Sequence, residues 1–202
     1  MPTDYIIWTF NYPASIFVLI YELYLFFIMF YFLQKRFRKK KGIKQVNSKD
    51  NFFKRNKKSI YALFVASNIV LFYIIVSAVT VVTNNKIIDY SFLYPQGREY
   101  SHAAVVKVST GVYGKNSYIP FKHSKGQFFY IIELADGKKI DLTEAGGVQN
   151  NQHEYFIIEE LDREFVNSDI PKVSSIKHFE YTTEHLDEIY TEKIRNILEN
   201  TN

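Results

Sequence analysis

The stretch QKRFRKKKGIKQVNSKDNFFKRNKK, Gln34 to Lys58, holds twelve of the chain's 25 lysines and arginines against a single acid, Asp50. It lies between two apolar runs, and its reading decides the expected fold. Loops on the cytoplasmic side of a membrane are enriched in Lys and Arg, most strongly when short and close to the span ends. The expectation is a two-helix transmembrane hairpin in the cell membrane, followed by a C-terminal α+β domain with an antiparallel sheet and two helices. The basic loop is then cytoplasmic and both termini are extracytoplasmic. The expected divisions are 1–33, an N-terminal segment and first transmembrane helix; 34–58, the basic loop; 59–83, the second transmembrane helix; and 84–202, the extracytoplasmic domain.

Outward from this loop the charge reverses. From Glu133 to the end there are sixteen acids and seven bases, a net −9. The sequence pI of about 9.0 is therefore a property of the loop and does not argue for nucleic-acid binding. Cysteine is absent, which excludes disulfides, thiolate metal sites and a cysteine nucleophile. For a domain outside the cell, that absence points to a bacterial envelope.

N-terminal to the loop, Ala14 to Leu33 is apolar over twenty residues, about 30 Å as a helix, which matches the hydrocarbon core of a bilayer. The segment before it has Asp4, no basic residue and no small-residue cleavage site, so it does not read as a signal peptide. Tyr5, Trp8 and Tyr12 read as an interfacial aromatic belt, and Pro13 suits a first helical turn. Glu22 falls near the middle of the run. An ionisable group at that depth costs at least ~2.5 kcal/mol and usually finds a partner. Two readings follow: a structural hydrogen bond to the second helix, or a carboxylate that handles protons or ions. Antiparallel helices match in depth where residue numbers sum to about 92, which brings Asn68 to the level of Glu22. A Glu22–Asn68 hydrogen bond is expected.

On the far side of the loop, Ser59 to Thr83 reads as the second span. Ala62, Ala66, Tyr73, Ser77 and Thr80 share a face turned away from Asn68, and the Ala62/Ala66 pair permits close backbone approach. That helix-packing face meets either another chain, by self-association or through a membrane-protein partner, or lipid. The basic residues Lys35, Arg36, Arg38, Lys39, Lys40 and Lys41 also suit anionic lipid head groups, at ~1 kcal/mol per base near the surface.

In the C-terminal part, Ile87 to Leu93, His102 to Ser109 and Ser117 to Phe121 read as strands. FFYIIELADGKKIDLT, Phe128 to Thr143, reads as a hairpin. A three-residue loop, Ala135-Asp136-Gly137 with left-handed Gly137, pairs Leu134 with Lys138, Ile132 with Ile140 and Tyr130 with Leu142. It leaves one face apolar. Glu144 to Gln152, including Gly146-Gly147, reads as a loop. Asn151 and Glu154 suggest a capping box for a helix from Tyr155 to Asn167, with Ile157, Ile158, Leu161 and Phe165 inward. Val173 to Tyr181 reads as a last strand. Thr183 caps a final helix to about Glu199, with Leu186, Tyr190, Ile194 and Ile197 inward.

No catalytic or nucleotide-binding motif is present, and no cofactor is expected. His178, Glu180, Glu184 and His185 are the nearest approach to a metal cluster. Their spacing matches no zinc pattern, and exposed polar residues at a helix start are the better reading. The basic-looped helix pair followed by Tyr-Ile-Ile-Glu-Leu-Ala-Asp-Gly-Lys-Lys-Ile-Asp-Leu, Tyr130 to Leu142, resembles uncharacterised small two-span membrane proteins of low-GC Gram-positive bacteria. Their sheet domains are sometimes similar to pleckstrin-homology-like modules. The resemblance covers the hairpin and the helix after it, and it implies no activity. The expected function is that of a non-enzymatic anchored protein whose domain binds a protein or envelope ligand, as an accessory or regulatory subunit of a membrane complex. The alternatives are a transport component using Glu22, a membrane-bound enzyme using the His178–His185 region, and an immunity or self-protection protein.

Overall fold

A computed structural model describes residues 2–11, 14–40, 57–117 and 123–201. The chain forms two compact units: residues 13–77 make one, and residues 1–12 with 78–202 make the other.

The first unit is helical. Helix α1 spans Ala14–Lys40 and α2 spans Lys57–Ser77. They meet where Asn68 Nδ2 donates to the Tyr24 hydroxyl at 3.3 Å and to the Phe64 carbonyl at 2.7 Å. The Phe64 ring lies 6.0 Å from that of Tyr24. Tyr24 and Asn68 carry numbers that sum to 92, so the helices are antiparallel neighbours in the register the short connection implies.

Among the described residues, no helix is long and apolar enough to cross a membrane. This overturns the transmembrane hairpin, the cell-membrane placement and the sidedness built on it. Within α1, the described apolar side chains begin at Ile20, are interrupted by exposed Glu22, and give way at Gln34 to a basic end. Those of Ala14 to Leu19 lie outside the described residues. The second apolar run is divided: helix α2 stops at Ser77, and the residues after it form a strand. The apolar part of α2 that remains, Ser59 to Ser77, is about 28 Å long, under the ~30 Å of a hydrocarbon core. Residues 41–56 of the basic loop, Lys41 included, lie outside the described residues.

That strand, β2 (Val79–Thr83), is buried along its whole length. Five consecutive β-branched residues suit a pleated, doubly covered position better than a helix, where their χ1 freedom is lost. Its antiparallel neighbour is β1 (Tyr5–Phe10), which pairs Trp8 with Val81 and Phe10 with Val79. Tyr5 and Trp8 are therefore strand residues and not an interfacial belt; Tyr12 lies outside the described residues. Further strands are β3 (Lys86–Ser91), β4 (Tyr94–Ser101), β5 (Val105–Val112), β6 (Phe128–Leu134), β7 (Lys139–Asp141), β8 (Ala145–Val148) and β9 (Lys172–Ser174). One sheet runs in the order β4-β3-β2-β1-β8 and the other β7-β6-β5-β9. All pairs are antiparallel except β5 with β9, which is parallel. The expected strand from Ser117 to Phe121 falls largely outside the described residues.

The β6–β7 hairpin has the register read from its sequence: Ile132 faces Ile140, and the Leu142 amide donates to the Tyr130 carbonyl at 2.9 Å. Gly137 takes φ +84°, a conformation open to glycine because it has no Cβ. Asp136 Oδ1 accepts from the Lys138 amide at 3.0 Å, and its other oxygen accepts from the Tyr100 hydroxyl at 2.7 Å. The Tyr100 bond first, and the Lys138 amide second, hold the Asp136 carboxyl below its ordinary range.

Helices α3 (Glu154–Asn167), α4 (Phe179–Thr183) and α5 (Glu188–Glu199) complete this unit. The cap of α3 is His153, whose side chain accepts from the Tyr155 amide, so the Asn151/Glu154 capping box does not form. The expected final helix starts later, at Glu188, with Asp187 and not Thr183 at its N-cap position, and Phe179–Thr183 is a short helix of its own. The expected strand to Tyr181 ends at Ser174. Ile158, Leu161, Phe165, Ile194 and Ile197 join Ile7, Val82 and Ile87 of one sheet and Tyr130, Ile132 and Leu134 of the other in a single core. Each such buried side chain stabilises the fold by about 1.5–3 kcal/mol relative to exposure.

Two polar networks fix this core. Lys172 and Asp162 are both buried and in contact at 2.6 Å. The Lys172 ammonium also donates to the carbonyls of Ile197 at 2.5 Å and Asn200 at 2.7 Å, so its three protons meet three acceptors and it closes the C-terminal end of α5. Asp162 further accepts from the Tyr130 hydroxyl at 2.9 Å and from Asn200 Nδ2 at 2.7 Å. Burial pushes the Lys172 pKa down, against the opposing pull of Asp162. In the second network, Asn11 Nδ2 donates to Asp89 Oδ1 at 2.7 Å and to the Tyr90 carbonyl at 2.8 Å. Lys138 pairs with Asp89 as well.

Candidate functional site

The β6 strand alternates buried and half-covered positions. Phe128, Tyr130, Ile132 and Leu134 enter the core; Phe129, Ile131 and Glu133 point to the other face of the sheet. Register places Lys107, Ser109 and Gly111 of β5 beside Glu133, Ile131 and Phe129, Asp141 of β7 beside Ile131, and Val173 of β9 beside Ser109. These residues make up the outer face of the mixed sheet.

Gly111 is the position that shapes it. A Cβ there would lie 2.9 Å from the Phe129 ring, so the bare glycine lets that ring lie across β5. The row of rings continues to Tyr113, 4.6 Å from Phe129, and to His123, stacked on Tyr113 at 3.6 Å with planes 6° apart. His123 Nδ1 is buried and has no hydrogen-bond partner among the described residues. Buried polar atoms are as a rule hydrogen-bonded, so the partner of this nitrogen is water, a bound group or a residue outside the described ones.

The acids flank this row. Asp141 Oδ1 accepts from the Thr143 amide at 3.0 Å and the Thr143 hydroxyl at 2.7 Å. From β1, the Thr9 hydroxyl donates to the Glu144 carbonyl at 2.8 Å and pins the turn between β7 and β8. Burial holds the Asp141 carboxyl above its ordinary range, against the bonds from Thr143. Burial, then the charge of Asp141, raises Glu144. Tyr113 is raised by burial and then by both acids. The three groups thus lie within one another's fields. Such a cluster resists further negative charge and favours a hydrogen-bond donor or a cation, while the neighbouring rings offer a face for cation–π contact.

The residues expected from sequence are elsewhere. Glu22 is exposed and is not the partner of Asn68, whose amide is engaged by Tyr24 and Phe64. Ala62, Ala66 and Tyr73 are exposed on α2, Ser77 is its last residue, and Thr80 is buried in β2, where its hydroxyl bonds Asn11 and Asp89. The shared helical face therefore ends at Ser77. Lys35 and Arg36 are exposed near the end of α1, and Arg38, Lys39 and Lys40 complete that helix. Among the described residues, no group of three or more His, Cys, Asp or Glu residues could hold a metal ion. The His178 ring stacks on Tyr181 and lies over Gly114, and His178 itself has φ +71°. Gly146-Gly147, expected in a loop, belongs to β8, where a Cβ on Gly146 would lie 2.0 Å from the Trp8 ring.

Tyr113, His123, Phe129, Asp141 and Glu144 escape a reading by motif, because they converge only through register and the β5–β6 connection. The alternation in β6 is the available signal: its second face carries the apolar Phe129 and Ile131 as well as Glu133. No family model, curated protein or solved structure matches this chain.

Proposed function

We propose that this chain is a non-enzymatic binding subunit. Its α+β unit recognises a protein ligand on the outer face of the β7-β6-β5-β9 sheet, and its helical unit attaches it, as an accessory or regulatory component, to a larger assembly. The observation that carries the reading is the Phe129–Tyr113–His123 row beside Asp141 and Glu144, with a buried His123 nitrogen unpartnered among the described residues. Aromatic anchors in a partly desolvated patch are where binding energy concentrates at interfaces. The nearby acids select a ligand segment that carries Lys or Arg.

The test is site-specific photo-crosslinking in the cells that make the full chain. A photoreactive residue at Phe129 or Val173 is expected to capture a discrete protein, and Tyr113→Ala to reduce that capture. A probe at Arg195, on α5, is the control. Equal capture at Arg195, or none at Phe129 and Val173, overturns the reading.

A further inference from the structure

We propose that His102 is a proton-operated clamp. Its doubly protonated ring joins the end of β2 to α3, and loss of one proton releases one of the two. The inference is independent of the recognition reading.

His102 opens the 3-10 turn His102–Ala104, which carries the chain from β4 in the first sheet to β5 in the second. Its ring stands edge-on to that of Phe165 in α3, with centroids 5.5 Å apart and planes at 77°, and its side chain is 13% exposed. Both ring nitrogens are engaged. Nδ1 lies 2.8 Å from a Glu164 carboxylate oxygen on α3, and Nε2 lies 3.1 Å from the Thr83 carbonyl oxygen at the end of β2.

A carbonyl oxygen only accepts, and so does an ionised carboxylate. Neutral imidazole has one N–H and one lone pair, so it serves one of these partners and turns its lone pair on the other. Two N–H groups serve both. The proton between Nδ1 and Glu164 belongs to the nitrogen, because imidazole is the stronger base of the two side chains. The bond is then charge-assisted, about twice as strong as a neutral one.

The other charges around the turn have partners of their own. On β3 and β4, Lys86 lies opposite Ser101 and pairs with Glu99 at 2.6 Å. The β6–β7 hairpin reaches the turn through the Ala135 amide, which donates to the Ala104 carbonyl at 2.9 Å. In that hairpin Asp136 accepts from Tyr100, Lys138 pairs with Asp89, and Glu133 lies beside Lys107 of β5 and pairs with Lys139. On α3, Arg163 bonds Glu159, and Glu160, one turn before Glu164, is exposed. Among the described residues, Glu164 is the carboxylate bonded to the ring.

Unfolding frees the ring from both acceptors. A clamp that needs the second proton therefore adds its stability in full below the unfolded imidazole value, ~6.5, and loses it as the folded ring gives up that proton at higher pH. The Glu164 side chain is 47% exposed, and solvent screening keeps a pair of that kind modest.

The test is denaturant unfolding of the full chain at pH 6 and pH 8, followed by the fluorescence of Trp8, the chain's one tryptophan and a β1 residue. Relative to His102→Gln, the wild-type folding constant is expected to fall roughly five- to tenfold between the two pH values. Groups common to both chains, Asp141 and Glu144 included, cancel in that ratio. Glu164→Gln separates the proton from the contact. Its amide accepts from a charged ring and donates to a neutral one, so this variant is expected to match the wild type at pH 8 and to lose the step. Where His102→Gln does not fold, the half-exposed Glu164 position carries the test. A loss of stability in His102→Gln that is equal at both pH values overturns the proposal, because a merely structural histidine would give that result. A full step retained in Glu164→Gln overturns it as well. Ligand capture at Phe129 bears on the recognition reading alone.

Discussion

Ile158 in α3 and Ile69 in α2 are the same side chain on two regular helices, yet the first is 0% and the second 65% exposed. The contrast extends to their units. In the α+β unit, apolar side chains from two sheets and three helices converge on one core. In the helical unit, Phe26, Phe27, Phe30 and Phe72 join Ile69 on the outside. One unit contains its own apolar partners. The other leaves large apolar side chains exposed along both of its described helices. Where apolar residues fall in the sequence does not decide between these outcomes; the number of elements available to cover them does.

The sharpest way to break the comparison is to unpair the buried charge in the self-contained unit. Asp162→Ala leaves the Lys172 ammonium buried with only carbonyl partners, and is expected to cost about 3–5 kcal/mol in denaturant unfolding of the full chain. Ile158→Ala comes next, at about 2–4 kcal/mol from lost burial plus a cavity. A loss below about 1 kcal/mol at both positions would show that the core is looser than its burial indicates. Gly111→Ala is expected to cost about 1–3 kcal/mol by overpacking against Phe129, and to weaken ligand capture at the outer face.

A pH series sharpens the picture at the recognition face. Burial raises the Asp141 carboxyl, so the folded chain holds that proton more tightly than the unfolded one. The resulting stability is complete below the unfolded pKa, near ~4, and is lost as pH rises through the raised folded value. Asp141→Asn should flatten that decline and raise Tm at neutral pH, as read by thermal unfolding. Glu159 has the opposite sign. Burial pushes its carboxyl up, but Asn196, Lys193 and Arg163 together outweigh burial and hold it below its ordinary range. Its contribution is present above the unfolded value and is lost as pH falls, so Glu159→Gln should weaken the chain at neutral pH and matter less in acid. The smallest effect is expected in the helical unit: Phe26→Ser changes the stability of a single copy by no more than about 0.5 kcal/mol, because its ring has few partners to lose.

Much of the α+β unit is legible in the sequence because it is governed by local rules. The Asp136-Gly137 turn and the apolar positions on either side specify the β6–β7 register, since a one-residue slip would set Ile132 against Asp141 instead of Ile140. The inward side of α3 follows from the spacing of Ile157, Ile158, Leu161 and Phe165. The first and second strands are not legible in the same way. Tyr5–Phe10 adjoins an apolar helix and reads as its flank. Val79–Thr83 is apolar and buried on both faces, so it lacks the alternation that marks a half-buried strand and merges with the helix before it. Its five β-branched residues are the one local sign.

The sequence by itself determined the basic segment, the two apolar runs beside it, the β6–β7 hairpin and the amphipathic α3, because each is set by neighbours within a few residues. Tertiary structure alone decided that the second apolar run divides into helix and strand, that Tyr5–Phe10 crosses to pair with it, and that Tyr113, His123, Phe129 and Asp141 share a face. These depend on pairing between residues tens of positions apart, where the gain from burying both faces of β2 exceeds what continuing a helix into open surroundings would bring.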